Sequence, residues 1–360
     1  MVSPVTGPVV DEGNAWMEFM LDQAQTDFGR TLDRMLGGAD RPRAVRAWAR
    51  GEHAPGRAVW GRLAEAGVTG LAVPEAYEGV GPLPVELGVA YVAAGRHAVP
   101  GPLAETAAAA VLLAALTEGG TARAGQAAGH WLPRIADGRA LVTLAAADGG
   151  PYALDADAAD AVFAVEGEEL WLAPGHGPVQ PSFDPARRLA RPLPGGEPLA
   201  RGPAVATAAA RASDWATFAT AALSLGTGLA LVERTAAYVK QRTQFGRLIG
   251  SFQAVKHRLA DTLIGLEFAR PLLYGAAVAL AARPANGARA EVAAAKVAAG
   301  EAAYTAARTA LQLHGALGYT DEYDLSLWIR KARALRTAWG SPSVCRSRVL
   351  TAASSRPDRS

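Results

Sequence analysis

The chain has 360 residues, and half of them are hydrophobic, which is enough for a sizeable core and for two or three domains. Its 36 Lys and Arg residues nearly balance 34 Asp and Glu residues, so the net charge of +2 gives no electrostatic reason to expect nucleic acid or a membrane surface as a partner. The single cysteine, Cys345, excludes a disulfide framework within the chain and favours the cytoplasm. We expect no secretory signal peptide and no bound metal.

The first third of the chain is predicted to be helical. Residues 1–16 contain Pro and Gly without periodicity, which indicates a flexible extension. From Met17 to residue 129, apolar residues recur at helical spacing, and only the turn-rich stretch Val73–Pro84 interrupts them. We therefore expect an N-terminal α-helical domain over 17–129.

The pattern changes between residues 130 and 203. Short apolar runs, such as Ala140–Ala146, Ala161–Val165 and Glu169–Ala173, alternate with Gly, Pro and Asp. Such runs are typical of strands with tight connections. We predict a truncated middle β domain.

Residues 204–360 are predicted to form a four-helix bundle. Helical patterns cover Ala204–Gln241, a segment starting near Phe252, and the ranges 288–314 and 322–339. The stretch Trp215–Val232 has no charge, but its Ala, Thr, Ser and Gly content indicates a helix buried in the bundle rather than a membrane span. The predicted fold class is α+β, mostly α.

Two short motifs in the C-terminal part combine polar residues with glycine. The first is Arg242-Thr-Gln-Phe-Gly246 followed by Phe252-Gln253, and the second is Gln312-Leu-His-Gly-Ala-Leu-Gly-Tyr-Thr-Asp-Glu-Tyr323. Each has a plain explanation as a helix end with glycine beyond it. Taken together, they also predict a ligand site, because Arg242 can clamp a phosphate and glycine lets a backbone approach a ligand closely.

With the N-terminal stretches Leu63-Ala-Glu-Ala-Gly67 and Leu71-Ala-Val-Pro-Glu-Ala-Tyr-Glu-Gly-Val-Gly81, these motifs resemble the signatures of acyl-CoA dehydrogenases in the expected order. The resemblance covers about residues 17–355. It implies an N-terminal α domain, a middle β domain, a C-terminal four-helix bundle, an FAD cofactor and an acyl-CoA substrate. The implied reaction is α,β-desaturation, in which a carboxylate removes the α-proton and the flavin accepts a hydride.

The resemblance also implies which residues contact the cofactor. In the family, the two motifs grip the adenine dinucleotide end of an FAD whose flavin ring lies in a neighbouring subunit. The corresponding positions in this chain are Arg242, Gln244, Phe245, Gln253, Gln312, Gly315 and Ala316. Ala316 stands where the family usually has a second glycine, and its methyl group is expected to crowd the cofactor.

Both positions that supply the catalytic base in the family have lost their carboxylate. Trp339 stands at the more common position, and Ala216 stands at the alternative one. The nearest acids in sequence are Asp214 and Glu322, and Asp214 is turned roughly 200° around a helix from Ala216. We predict no catalytic residue in this chain.

The segments that hold the flavin ring in the family are also missing from the middle domain. Only Leu141–Gly150 and then Asp157–Asp160 remain there, and Trp171 has the position of a core residue in a strand. This selective loss resembles the smaller, base-lacking subunit of actinobacterial heterotetrameric (α2β2) steroid side-chain acyl-CoA dehydrogenases.

The expected role is therefore a non-catalytic subunit that shares FAD with a base-bearing partner, acts with it on an acyl-CoA, and passes electrons to an electron-transfer flavoprotein or a similar acceptor. Two alternatives stay open. One is a flavin-free scaffold or CoA-ester-binding protein, and the other is a self-sufficient homotetramer with an unrecognised base.

Overall fold

A computed structural model describes residues 20–38, 41–118, 122–283 and 288–354 of the chain. The extension predicted over residues 1–16 lies outside these ranges. The described part is mostly helical, with small sheets between two groups of helices, which confirms the predicted fold class.

Six helices form the N-terminal part: α1 Gln23–Leu36, α2 Arg41–Ala49, α3 Ala54–Glu65, α4 Pro84–Arg96, α5 Leu103–Thr117 and α6 Ala122–Ala136. Helix α1 begins with a capping box, in which the Asp22 side chain and the Gln25 side chain each accept a hydrogen bond from the other's backbone N–H. Helix α6 continues past residue 129, where the helical domain was expected to end, and stops before Gly138, whose φ is +76°.

The middle part contains β1 Val142–Ala145, β2 Ala153–Leu154, β3 Ala161–Glu166, β4 Glu169–Leu172, β5 Leu189–Ala190 and β6 Glu197–Arg201. Four of these strands form one sheet in the order β1-β3-β4-β6, in which β1 and β3 are parallel and the other pairs are antiparallel. Strands β2 and β5 form a separate antiparallel pair.

The C-terminal part contains α7 Pro203–Val239, the strands β7 Thr243–Gln244 and β8 Arg247–Leu248, and then α8 Gln253–Ala282, α9 Arg289–His314, α10 Leu325–Leu335 and α11 Pro342–Ser354. Among the described helices, α7 and α8 are long and apolar enough to cross a membrane by length and composition alone. The most apolar stretch of α7 is 94% buried within the fold, whereas that of α8 is only 44% buried.

Helix α7 can be buried on all sides because it satisfies its own hydroxyl groups. Thr217, Thr220, Ser224 and Thr227 each donate a hydrogen bond of 2.7 Å to the backbone carbonyl four residues earlier. A buried hydroxyl without a partner would cost free energy. The Ser and Thr content of α7 is therefore compatible with the centre of the protein.

Glycine brings α4 and α7 into direct backbone contact. A Cβ atom at Gly226 would lie 1.9 Å from the carbonyl oxygen of Val92, and one at Gly95 would lie 2.2 Å from that of Leu223. The Thr227 hydroxyl also donates to the Gly95 carbonyl at 3.3 Å. This crossing fixes the N-terminal helices on the C-terminal bundle.

We predict that Gly226→Ala strongly destabilises the protein, because its methyl group would overlap backbone atoms that cannot move aside. The expected loss in the free energy of unfolding is about 3 kcal/mol or more, measured by chemical denaturation. The matched control is Gly125→Ala in α6, where an added Cβ meets nothing within 4 Å. That control should be neutral or stabilising by up to about 1 kcal/mol, and equal effects of the two variants would contradict the crossing.

Candidate functional site

The hairpin β7–β8 projects from one end of the bundle and presents an aromatic ring to solvent. Phe245 at its tip is 91% exposed. Its φ of +53° and that of +76° at Gly246 form the tight turn. The Arg247 guanidinium lies 4.1 Å from the centre of the Phe252 ring and ties the hairpin to the start of α8. Removing so exposed an aromatic ring from water would be favourable, so the tip is suited to contact another molecule.

A groove of about 960 Å³ lies at the same end, between the first turns of α8 and the last turns of α9. Its lining includes His257, Arg258, Arg308, Gln312 and Gly315. It therefore combines cationic and amide side chains with an open backbone, which are the groups that bind a nucleotide diphosphate.

A buried histidine joins the end of α9 to the end of α7. The His314 ring is stacked on Tyr238 with 4.0 Å between the ring centres, and its Nδ1 is 2.8 Å from the Ala310 carbonyl oxygen. Burial lowers the pKa of His314, so the ring is neutral at pH 7. This contact brings the two sequence motifs to one end of the bundle, since Tyr238 precedes Arg242 by one helical turn.

All of the predicted cofactor-contacting residues are exposed, and the structure places them at this end of the bundle: Arg242, Gln244, Phe245, Gln253, Gln312, Gly315 and Ala316. Gln312, Gly315 and Ala316 line the groove, while the hairpin carries Arg242, Gln244 and Phe245. Within the described part of the chain, the Arg242 guanidinium has no hydrogen-bonded or ionic partner. A fork of donors without an acceptor suits a phosphate.

The glycine at position 315 is required by its backbone conformation. Its φ is +59° and its ψ is −134°, which an L-residue rarely adopts. An added Cβ would meet nothing within 4 Å, so the space beside it is open. Ala316 is exposed in the short 3-10 segment that follows.

Trp339, at the position where the resemblance predicts the catalytic base, is buried and held by hydrogen bonds. Its indole N–H donates to Oε1 of Glu105 at 2.9 Å, and its carbonyl accepts from the Thr217 hydroxyl at 2.8 Å. Its φ of +51° is strained for a bulky residue. The loop is fixed because the buried Lys296 ammonium donates to the carbonyls of Leu335, Arg336 and Gly340 at 2.9–3.3 Å. Hydrogen bonds therefore hold both the side chain and the backbone of Trp339 in place.

The second base position lies beside the first. Ala216 is fully buried and directly precedes Thr217, whose hydroxyl contacts the Trp339 carbonyl. The two positions that the resemblance singled out are thus brought together in space, and neither has a group that can accept a proton.

Glu105 and Arg187 were not anticipated from the sequence. Glu105 is 3% exposed, and the Arg187 guanidinium lies 3.9 Å from its carboxylate. Both side chains line a cavity of about 410 Å³ beside Trp339. The only sequence signal was an acidic residue inside the otherwise apolar α5, where a carboxylate needs a buried partner.

The acids nearest in sequence to the base positions do not line this cavity. Glu322 is exposed, and its backbone carbonyl accepts a hydrogen bond from Arg46 at 3.0 Å. Asp214 is 3% exposed, and its Oδ1 has no hydrogen-bond donor among the residues that the structure describes. Burial raises the pKa of the Asp214 carboxyl from 3.8 to about 6, although Arg289 and Arg348 oppose the shift.

This raised pKa predicts a pH-dependent effect of Asp214→Asn. The folded protein binds the Asp214 proton more tightly than the unfolded chain, so the cost of ionising it appears as the pH rises from about 4 to 6 and is complete above 6. The variant should therefore gain on the order of 2 kcal/mol of stability at pH 7.5 and little at pH 4.5. Urea denaturation at both pH values measures this, with exposed Asp27→Asn as control. A gain independent of pH would contradict the assignment.

Comparison with known proteins identifies the family of this architecture. Models of the acyl-CoA dehydrogenase N-terminal and C-terminal domains match residues 22–139 and 202–353. Acyl-CoA dehydrogenase IpdE2 of Mycobacterium tuberculosis (strain ATCC 25618 / H37Rv) is 33% identical over 305 residues, which cover 84% of this chain and 88% of the relative.

Solved structures share the same fold. A variant of the Tcur3481-Tcur3483 steroid ACAD superposes with a TM-score of 0.76 and 26% identity, over 92% of this chain and 98% of that chain. The ChsE4-ChsE5 complex from Mycobacterium tuberculosis gives a TM-score of 0.76 at 24% identity, over 94% and 99% of the two chains. A glutaryl-CoA dehydrogenase from Mycobacterium smegmatis in complex with FADH2 gives 0.73 at 17% identity, over 97% and 98%. With both of its helical domains matched, the chain belongs to the acyl-CoA dehydrogenase family.

Proposed function

We propose that this chain is the non-catalytic subunit of a heteromeric FAD-dependent acyl-CoA dehydrogenase and completes the FAD site of a base-bearing partner. The observation that carries the proposal is a contrast between the middle of α7 and its C-terminal end. Near Thr217, the predicted base position is filled by Trp339, whereas beyond Val239 the predicted cofactor-contacting residues are exposed. Loss at one place and retention at the other suit a subunit that serves its neighbour.

The separation of these two places supports an FAD shared between subunits. The 22 residue steps from Thr217 to Val239 span roughly 33 Å of helix. The residues that would grip an FAD are therefore far along the bundle from the cleft beside Trp339, which suits a cofactor shared with a neighbouring chain.

The residues at the bundle end fit the dinucleotide part of FAD. Arg242 would hold a phosphate through paired N–H donors, and Phe245 would cover an apolar edge of the ligand. Gly315 leaves the end of α9 open, so the ligand could lie against its backbone. FAD, when bound, supplies the acceptor for the hydride that leaves the β-carbon of the thioester.

Helix α8 provides a surface for the partner. Leu263, Ile264, Phe268 and Leu272 are 40–73% exposed, and they lie on one long, half-buried helix. Such a cluster of large apolar side chains in a soluble fold marks a protein interface. It adjoins the groove, whose lining includes Asp261 and Thr262 of the same helix, so a partner docked on α8 would bring its cofactor to Arg242.

The name of one solved relative suggests the substrate. The Tcur3481-Tcur3483 protein is a steroid ACAD with two components, and this chain aligns with nearly its full length at 26% identity. We extend this to a CoA thioester of a steroid side chain, oxidised by the pair in the cytoplasm, with an electron-transfer flavoprotein or a similar protein as the acceptor.

The first test is to express the chain alone and together with a glutamate-bearing acyl-CoA dehydrogenase from the same genome. We expect the lone chain to be colourless and the pair to form a yellow α2β2 complex with two FAD, measured by absorbance and native mass. Yellow, active protein from the chain alone would show that it has its own base. A colourless pair would favour the flavin-free scaffold or CoA-ester-binding protein.

The second test removes one phosphate clamp. Arg242→Gln should weaken FAD retention by the complex at least tenfold, since a charge-assisted hydrogen bond contributes about 1.5–3 kcal/mol. Arg34→Gln, on the exposed side of α1, is the matched control and should retain FAD normally. If both variants hold FAD equally, Arg242 does not contact the cofactor. Turnover of steroid side-chain CoA and straight-chain acyl-CoA by the unmodified pair then tests the substrate separately.

A further inference from the structure

We propose that the cavity beside Trp339 binds a small organic anion, a carboxylate with an apolar body, in place of the family's thioester. The cavity has a volume of about 410 Å³, which is within the usual range for small-molecule sites. It lies between α5, the strand pair β2–β5 and the loop after α10. The inference concerns a different site from the FAD-contacting end and does not depend on the proposed subunit role.

The observation that points to an anion is the state of Arg187. Its side chain is only 15% exposed, and it faces the cavity. A guanidinium has five N–H donors. Within the described part of the chain, none of them makes a hydrogen bond, and the nearest carboxylate oxygen, on Glu105, is 3.9 Å away. Mostly buried donors without acceptors are costly, so a ligand oxygen would be strongly favoured here.

The neighbouring Arg188, by contrast, has a structural role. Arg188 donates to Asp157 at 2.7 Å and to the Ala49 carbonyl at 3.0 Å. Its guanidinium is thus used to join the middle part to the N-terminal helices. Arg187, one position away, has no such role, and its donors stay available to the cavity.

The charge balance of the lining also favours a monoanion. Arg187 and Arg333 contribute two positive charges, and Glu105 contributes one negative charge. The Arg333 guanidinium lies 5.8 Å from the Tyr304 ring centre and has no carboxylate partner in the described residues. The net charge of the lining is therefore one positive unit. The Glu105 carboxylate accepts a 2.9 Å hydrogen bond from the Trp339 indole.

The remaining lining selects an apolar body on the ligand. Leu154, Leu189 and Ala338 form apolar wall, and Phe183 at the lining is 63% exposed. An exposed phenyl ring beside two guanidinium groups suits a ligand in which a ring or a short apolar chain is attached to a carboxylate. A small anion such as acetate would pair with the guanidinium groups but would leave the apolar lining in contact with water.

The test uses the purified complex, or the full chain alone if it is soluble, and isothermal titration calorimetry. The probes are 4-phenylbutanoate, its neutral amide, acetate and butanoyl-CoA, and the last is also titrated in competition with 4-phenylbutanoate. We expect one site per chain for 4-phenylbutanoate, and at least tenfold weaker binding of the amide and of acetate. The proposal is overturned if amide and carboxylate bind equally, if no probe binds, or if butanoyl-CoA occupies the cavity in preference to the acid.

Variants separate the anion site from general damage to the fold. Arg187→Gln should weaken 4-phenylbutanoate at least tenfold without changing the weak binding of the amide, and Arg187→Lys should lie between. Phe183→Ala should weaken both ligands, and this exposed residue keeps the test usable if Arg187→Gln fails to fold. Arg50→Gln, an exposed site on the N-terminal helices, is the control. Full 4-phenylbutanoate affinity in Arg187→Gln would also overturn the proposal.

A second readout distinguishes this inference from the proposed function. Flavin content of the co-purified complex should fall in Arg242→Gln and stay unchanged in Arg187→Gln, because the two residues serve different sites. Loss of carboxylate binding with normal flavin content would leave the subunit role intact. Normal carboxylate binding in a flavin-free pair would reject the subunit role alone.

Discussion

The burial of α7 is the constraint on which the other elements depend. A 37-residue helix with no exposed face in its middle must satisfy its hydroxyls internally and must let its neighbours approach. Its Thr and Ser side chains meet the first condition by donating to backbone carbonyls in the preceding turn of their own helix, and Gly226 meets the second at the crossing with α4. Because α7 is fixed along its length, its middle and its C-terminal end hold Trp339 and the exposed hairpin at a set separation.

The sequence predicted the long helices well because each leaves several turns of apolar periodicity. The ranges expected for α7 and α9 differ from the observed bounds by at most two residues. Short elements left much weaker signals. Strands β2 and β5 have two residues each, so they contain no alternation to read. Helix α10 ends at Leu335, earlier than its pattern indicated, because the following residues turn into the loop that Lys296 holds.

For the candidate site, too, local features were predictable from the sequence and long-range contacts were not. The glycine-containing motifs are local, so the sequence could indicate that one helix ends before Gly246 and another before Gly315, and that the residues around these glycines are exposed. The hydrogen bond from Trp339 to Glu105 joins residues 234 positions apart, and no local pattern records such a pairing. The lack of a hydrogen-bond acceptor for Arg187 among the described residues is equally hard to predict, since it depends on long-range packing rather than on a local pattern.

Trp339 and Arg187 together determine what the cleft can bind. Trp339 is held through its indole, its carbonyl and the Lys296-bound loop, and it fills the position at which the resemblance predicts a base. Among the described lining residues, Glu105 has the only carboxylate, and its Oε1 accepts the indole N–H of Trp339. What the cleft still offers is excess positive charge against an apolar wall. Chemistry on a thioester needs an oriented base, but binding of an anion needs only these charges, so the anion site that we propose does not depend on a base in this cleft.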